Sequence, residues 1–106
     1  MRVRLLSESE VETALARLNG RSDPTWRLVE GKLRKRFVFC DFVEAFGFMT
    51  RTAIVAEVLN HHPDWSNSYR QVDVALVTHE AGGLTERDFT LAERMDVLAR
   101  RAEGSR

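Results

Sequence analysis

The sequence predicts an α+β sandwich: a four-stranded antiparallel sheet carrying three helices on one face, in the order α-β-β-α-β-β-α. Two observations predict it. Three segments show apolar residues at helical spacing behind a capping residue. Between them lie two pairs of short segments that read as strands around turn residues, and such hairpins imply antiparallel pairing. Helices gathered on one face of that sheet complete the architecture. The 106 residues are enough for one core, so 1–106 reads as a single domain.

The first helix is expected over Ser7 to Asn19. Ser7 and Glu10 have capping-box spacing, and Val11, Leu15 and Leu18 share a face. Gly20 is placed to end it. Asp23-Pro24 then marks a turn. Trp26 to Glu30 and Leu33 to Cys40 read as a hairpin around Gly31-Lys32, with Leu33, Phe37 and Phe39 on one face and Arg34, Arg36 and Val38 on the other. Cys40, the single cysteine, lies among phenylalanines and reads as a small buried hydrophobe.

Asp41 to Asn60 reads as the longest helix, started by Asp41 with Glu44 and stopped by Pro63. Its apolar residues run nearly all the way round, from Phe42 and Val43 through Met49, Ile54 and Val55 to Val58 and Leu59. A surface helix needs only one apolar stripe. One side therefore packs on the sheet, and the other calls for a second subunit. A second hairpin spans Trp65 to Ser68 and Gln71 to His79. After a Gly82-Gly83 loop, Thr85 to Arg101 forms the third helix, with Leu91, Met95 and Leu98 at helical spacing.

Sixteen basic residues balance sixteen acidic ones. A chain built to bind nucleic acid directly usually shows a basic excess, so direct contact is not expected. No stretch of about 18 apolar residues suggests a membrane span. The polar start, Met1 to Ser9, has no signal-peptide core, and the expected compartment is the cytosol.

All three histidines, His61, His62 and His79, fall in a stretch of nineteen residues. Two sit at a helix end and one at a strand end, and element ends meet at sheet rims. Histidine ionises near neutral pH and suits proton transfer. A structural reading competes: the macrodipole alone favours a histidine at a helix C-terminus. Glu57 stands four residues before His61, on the same helix face, while His62 points about 100° away. Asp88 fits a helix start without further duty. Zinc held by Glu57, His61 and His79 is a third reading, but the tight metal motifs are absent and no metal ligand is assigned.

The run Glu57, His61-His62-Pro63, Tyr69, His79 and Asp88 resembles the signature of the pterin-4a-carbinolamine dehydratases. The likeness extends to Trp65 after His61-His62-Pro63-Asp64, to Thr78-His79 followed by Gly83-Leu84-Thr85, and to Trp26 near the first strand. Asn60 stands where other members carry Asp. The resemblance implies the same fold and a hydro-lyase. That enzyme removes water from 4a-hydroxytetrahydropterin to give quinonoid dihydropterin, in tetrahydrobiopterin recycling, with no cofactor. It implies His61, His62 and His79 as the catalytic set. Within it, His62 and His79 are expected to move protons and His61 to bind and orient. Glu57, Asn60, Pro63, Thr78, Glu80 and Trp26 are implied substrate contacts. Glu57 either bonds the pterin's polar edge or tunes His61, and Trp26 gives the ring an apolar wall.

The resemblance also implies a homodimer or homotetramer, often a tetramer in which such long helices pack together, and an aromatic amino acid hydroxylase as pathway partner. Two other roles stay open. Some members serve as dimerisation cofactors of a homeodomain transcription factor, and the fold is open to reuse elsewhere, for example in molybdopterin metabolism.

Overall fold

The computed structural model describes residues 3–20 and 25–104. Its elements are α1 (Glu8–Asn19), β1 (Arg27–Val29), β2 (Lys32–Val38), α2 (Phe42–Leu59), β3 (Asp64–Ser68), β4 (Gln71–Leu76) and α3 (Glu86–Gly104), with a 3-10 turn at His79–Ala81 before α3. The sheet is antiparallel throughout, in the order β1-β2-β4-β3. The expected α-β-β-α-β-β-α sandwich is what forms. The Asp23-Pro24 turn lies outside the described residues.

Local chemistry starts each helix as expected. Ser7 accepts from the Glu10 backbone N–H while the Glu10 side chain accepts from the Ser7 N–H, a complete capping box. Arg4 donates twice to the same carboxylate, at 3.0 Å each. The Arg4 bonds, then the Ser7 N–H, pull the Glu10 carboxyl down to about 2. A depressed acid of this kind contributes above its ordinary value of about 4.3, and the contribution fades as the pH falls towards 2. Asp41 caps α2 by accepting from the Glu44 N–H. Gly20 stands at the end of α1 with ordinary right-handed geometry, so its freedom at positive φ is unused.

The turn of the first hairpin differs by one residue from expectation. Val29 pairs with Lys32, so Glu30 and Gly31 are the central residues, both at positive φ (52° and 77°). This is the primed turn that matches strand twist. β2 alternates as predicted, with Leu33, Phe37 and Phe39 buried and Arg34, Arg36 and Val38 exposed. The same alternation exposes Cys40, which is not the buried hydrophobe expected. Phe48 of α2 meets Phe37 and Phe39 at ring distances of 4.8 and 4.9 Å. Leu76, Leu91 and Met95 complete this core.

Trp26 is 1% exposed. Its ring packs edge-on to Phe37, and its indole N–H donates to Asp96. The Lys35 ammonium reaches the same carboxylate at 2.7 Å and lies over the Phe37 ring. Trp26 is thus a core residue with no ring face open to a ligand, which corrects its expected role as a wall for substrate.

One long face of α2 has no partner among the described residues. Ala45, Phe48, Thr52 and Ala56 point inwards, while Phe42, Val43, Phe46, Ile54 and Val58 are exposed, Val58 at 80%. Met49 and Val55 pack against the core. Among the described residues no helix is long and apolar enough to cross a membrane.

Removing one partner of a buried ion pair strands the other charge. Lys35→Met should therefore cost about 3–5 kcal/mol, read as a lower urea midpoint at unchanged slope. A loss of under about 1 kcal/mol, the range of a surface pair, contradicts this reading of the core.

Candidate active site

The residues of interest lie where α2, β3, β4 and α3 meet. α2 does not run on to Pro63. Asn60 turns into the left-handed region (φ 54°), a conformation asparagine tolerates. His61 N–H then bonds back to the Ala56 carbonyl. The helix ends at Leu59, four residues before the proline, and this turn decides where both histidines point.

His61 turns inwards and is 7% exposed. Its Nε2 lies 2.6 Å from Asp88 Oδ1. Asp88 sits in the first turn of α3 at 0% exposure. Its other oxygen, Oδ2, accepts from the Thr78 hydroxyl (2.8 Å) and from the Thr85 N–H (2.9 Å). The Thr78 and Thr85 hydroxyls are 2.7 Å apart. One carboxylate thus ties together the end of α2, the segment after β4 and the start of α3.

His62 turns outwards and its Nε2 meets Glu57 Oε1 at 2.7 Å, with both side chains exposed. This corrects the expected pairing. On an unbroken helix Glu57 would face His61; the left-handed residue at 60 swings His62 into that place. Glu57 therefore has His62 as its partner, not His61. The set of Glu57, His61 and His79 weighed for zinc does not assemble, because Glu57 and His61 are engaged by different groups.

His79 is not a strand-end residue, since β4 stops at Leu76. It opens the 3-10 turn that Gly82 closes at φ 79°. Thr78 fastens this turn: it pairs with Gly83 and accepts at its carbonyl from Ala81 and Gly82. The His79 ring projects into solvent, with Nε2 3.5 Å from Asp64 Oδ2, a loose ion contact. Asp64 opens β3, directly after the His61-His62-Pro63 run. Glu80, also exposed, lies 3.6 Å from Arg87.

The site residues expected from the sequence therefore divide in three. His62, His79, Glu57, Glu80 and Asn60 face solvent, with Pro63 partly covered. His61 and Thr78 are buried in the network on Asp88. Trp26 lies in the core. Thr85 and Asp64 were missed as partners of this site. The sequence signal for Thr85 is its place three residues before Asp88; for Asp64 it is only adjacency to Pro63.

Comparison with known proteins bears on what this arrangement does. A family model described as "Pterin 4 alpha carbinolamine dehydratase" matches residues 4–98. A protein of Solibacter usitatus, provisionally named a pterin-4-alpha-carbinolamine dehydratase, is 49% identical over 94 residues, covering 89% of this chain and 94% of that one. One from Chelativorans with the same provisional name is 51% identical over 96 residues, covering 89% and 93%. Among solved structures, a transcriptional coactivator/pterin dehydratase from Brucella melitensis is 44% identical at a TM-score of 0.81, covering 89% of this chain and 97% of that one. A pterin dehydratase-like protein identified as a RuBisCO assembly factor in the alpha-carboxysome is 26% identical at a TM-score of 0.62, covering 73% and 92%.

Deleting the Asp88 carboxylate would leave three buried donors without an acceptor, each costing about 1–3 kcal/mol. Asp88→Ala should therefore lose at least about 3 kcal/mol in chemical denaturation. A stability near that of the unmodified protein would show that the network does not tie these elements together.

Proposed function

The chain belongs to the pterin 4 alpha carbinolamine dehydratase family, and we propose that it dehydrates a 4a-hydroxytetrahydropterin to the quinonoid dihydropterin by histidine acid–base catalysis. The observation that carries this reading is the pair of solvent-facing imidazoles, each beside its own carboxylate: His62 with Glu57 and His79 with Asp64. They stand on a frame fixed by the buried His61–Asp88 contact.

The reaction asks for little more. The hydroxyl on carbon 4a leaves as water once an acid gives it a proton. The N5 lone pair stabilises the cation that forms, and a base then takes the N5 proton, completing the double bond between N5 and carbon 4a. Oxidation state does not change overall, and one water is lost. Two imidazoles in opposite protonation states supply both transfers, an effect of about 10²–10⁴-fold. His62 and His79 are the proposed proton handlers because their rings reach solvent. His61, locked against Asp88, is proposed to orient. Glu57, Glu80, Asn60 and Pro63 are the proposed contacts for the pterin's polar edge. This reading serves pterin recycling, with an aromatic amino acid hydroxylase as the class of enzyme that generates the substrate.

The exposed apolar face of α2 supports a homo-oligomer, since a wet patch of this kind marks an interaction site. It also gives the second reading, a binding module, its footing. Turnover separates the two, because a scaffold needs no working histidines.

His62→Ala and His79→Ala should each lower the dehydration rate at least about tenfold while the fold persists, because each removes a proton-transfer group. Wild-type rates in both would remove them from that role. For assembly, the unmodified protein should scatter light as a multiple of 12.2 kDa, and Ile54→Arg on the exposed face should dissociate it. Met49 and Val55, apolar positions of the same helix, pack against the core and suit the test poorly. A constant 12.2 kDa mass for the unmodified protein across a concentration series contradicts the oligomer, since association follows mass action.

A further inference from the structure

The hydrogen bonds around Asp88 have only one consistent direction. An ionised carboxylate accepts and never donates. Oδ2 is taken by the Thr85 N–H and the Thr78 hydroxyl, so the single Thr78 proton points at Asp88. The Thr78 oxygen can then only accept from Thr85, so the Thr85 hydroxyl donates to it across 2.7 Å. The Thr85 oxygen in turn accepts from the Arg87 N–H at 3.2 Å. The sequence is Arg87 N–H to Thr85, Thr85 to Thr78, Thr78 to Asp88. At the far end Asp88 Oδ1 has one hydrogen-bond partner among the described residues, His61 Nε2 at 2.6 Å. That nitrogen must carry the proton.

We infer that Thr78 and Thr85 are positioning residues that act through Asp88 to fix His61 as the Nε2–H tautomer, so that its Nδ1 is a standing hydrogen-bond acceptor for an N–H or O–H donor of the substrate. The claim about substrate rests on the dehydratase reading above; the claim about the tautomer does not. It gives Thr78 a different place from the direct substrate contact that the family resemblance implies, since a residue 1% exposed and bonded on both sides of its hydroxyl has no group left for a ligand. It also explains a division among the histidines. Nδ1 of His61 has no partner among the described residues, while Nε2 has no freedom to exchange its proton cheaply. A ring held in this way offers Nδ1 as the one nitrogen a ligand can meet.

The test is the long-range proton–nitrogen NMR spectrum of the histidine rings in the full-length protein. In the wild type, His61 should show a protonated Nε2, with a persistent downfield N–H signal, and an unprotonated Nδ1. Thr78→Val, which removes the hydroxyl at nearly constant volume, should lose that signal or mix the two tautomers; Thr78→Ser should keep it. If Thr78→Val does not fold, Thr85→Val removes the preceding donor and should act the same way. In turnover, Thr78→Val should raise KM about fivefold, the effect of one ordinary hydrogen bond, with kcat nearly unchanged, because a binding contact is lost and no proton handler. A wild-type His61 protonated at Nδ1 overturns the inference outright. So does a Thr78→Val spectrum with the Nε2–H signal intact, and so does a loss confined to kcat. If the wild type shows no turnover, the dehydratase reading fails and the ring spectra still decide the tautomer.

Discussion

A carboxylate at zero exposure must find every hydrogen bond inside the protein, and the arrangement of this molecule's histidine-bearing end follows from how Asp88 does so. Its two oxygens draw on three separate segments: His61 after α2, Thr78 after β4, and Thr85 at the start of α3. Because the donors are all spent on one acceptor, none of these segments can shift without stranding a buried polar group. The helix end and the strand end are thereby held at one rim of the sheet. His62 and His79, each next in sequence to a member of the network, are carried to that rim as a consequence.

Under the proposed mechanism, this division puts rigidity and proton transfer on different residues. The buried contact supplies geometry, and the two exposed imidazoles, paired with Glu57 and Asp64, keep access to solvent and to a ligand. Such exposed pairs contribute little stability, so their value lies in ring orientation. The other buried ion pair, Lys35 with Asp96, sits with Trp26 and Phe37 and holds α3 to the sheet elsewhere in the core. The apolar face of α2 belongs to neither, and its last turn carries Glu57.

Much of this was legible in the sequence. Capping pairs at Ser7 and Asp41 located two helix starts, and the alternation from Leu33 to Phe39 located the buried face of β2. The histidine cluster and its family signature pointed to the rim where α2, β3, β4 and α3 meet. The failures around the histidines share one cause: periodicity describes an element's interior but not its termination. Asn60 adopting positive φ is invisible to a 3.6-residue repeat, yet it exchanges the positions of His61 and His62 relative to Glu57. β4 ending at Leu76 puts His79 on a turn instead of a strand. The placement of Cys40 follows from strand alternation, which outweighs its phenylalanine neighbours. Trp26 was misplaced because an aromatic near a site and an aromatic in the core have the same local pattern, and only Asp96, seventy residues away, distinguishes them.

The central claim is that this end of the molecule accelerates loss of water from a 4a-hydroxytetrahydropterin. The most direct measurement follows the ultraviolet absorbance of a chemically generated 4a-hydroxytetrahydropterin as it dehydrates, with the purified wild-type protein at a series of catalytic concentrations and with buffer alone. The account predicts a first-order rate that rises above the spontaneous rate in proportion to protein concentration. A rate indistinguishable from buffer at every protein concentration would contradict it.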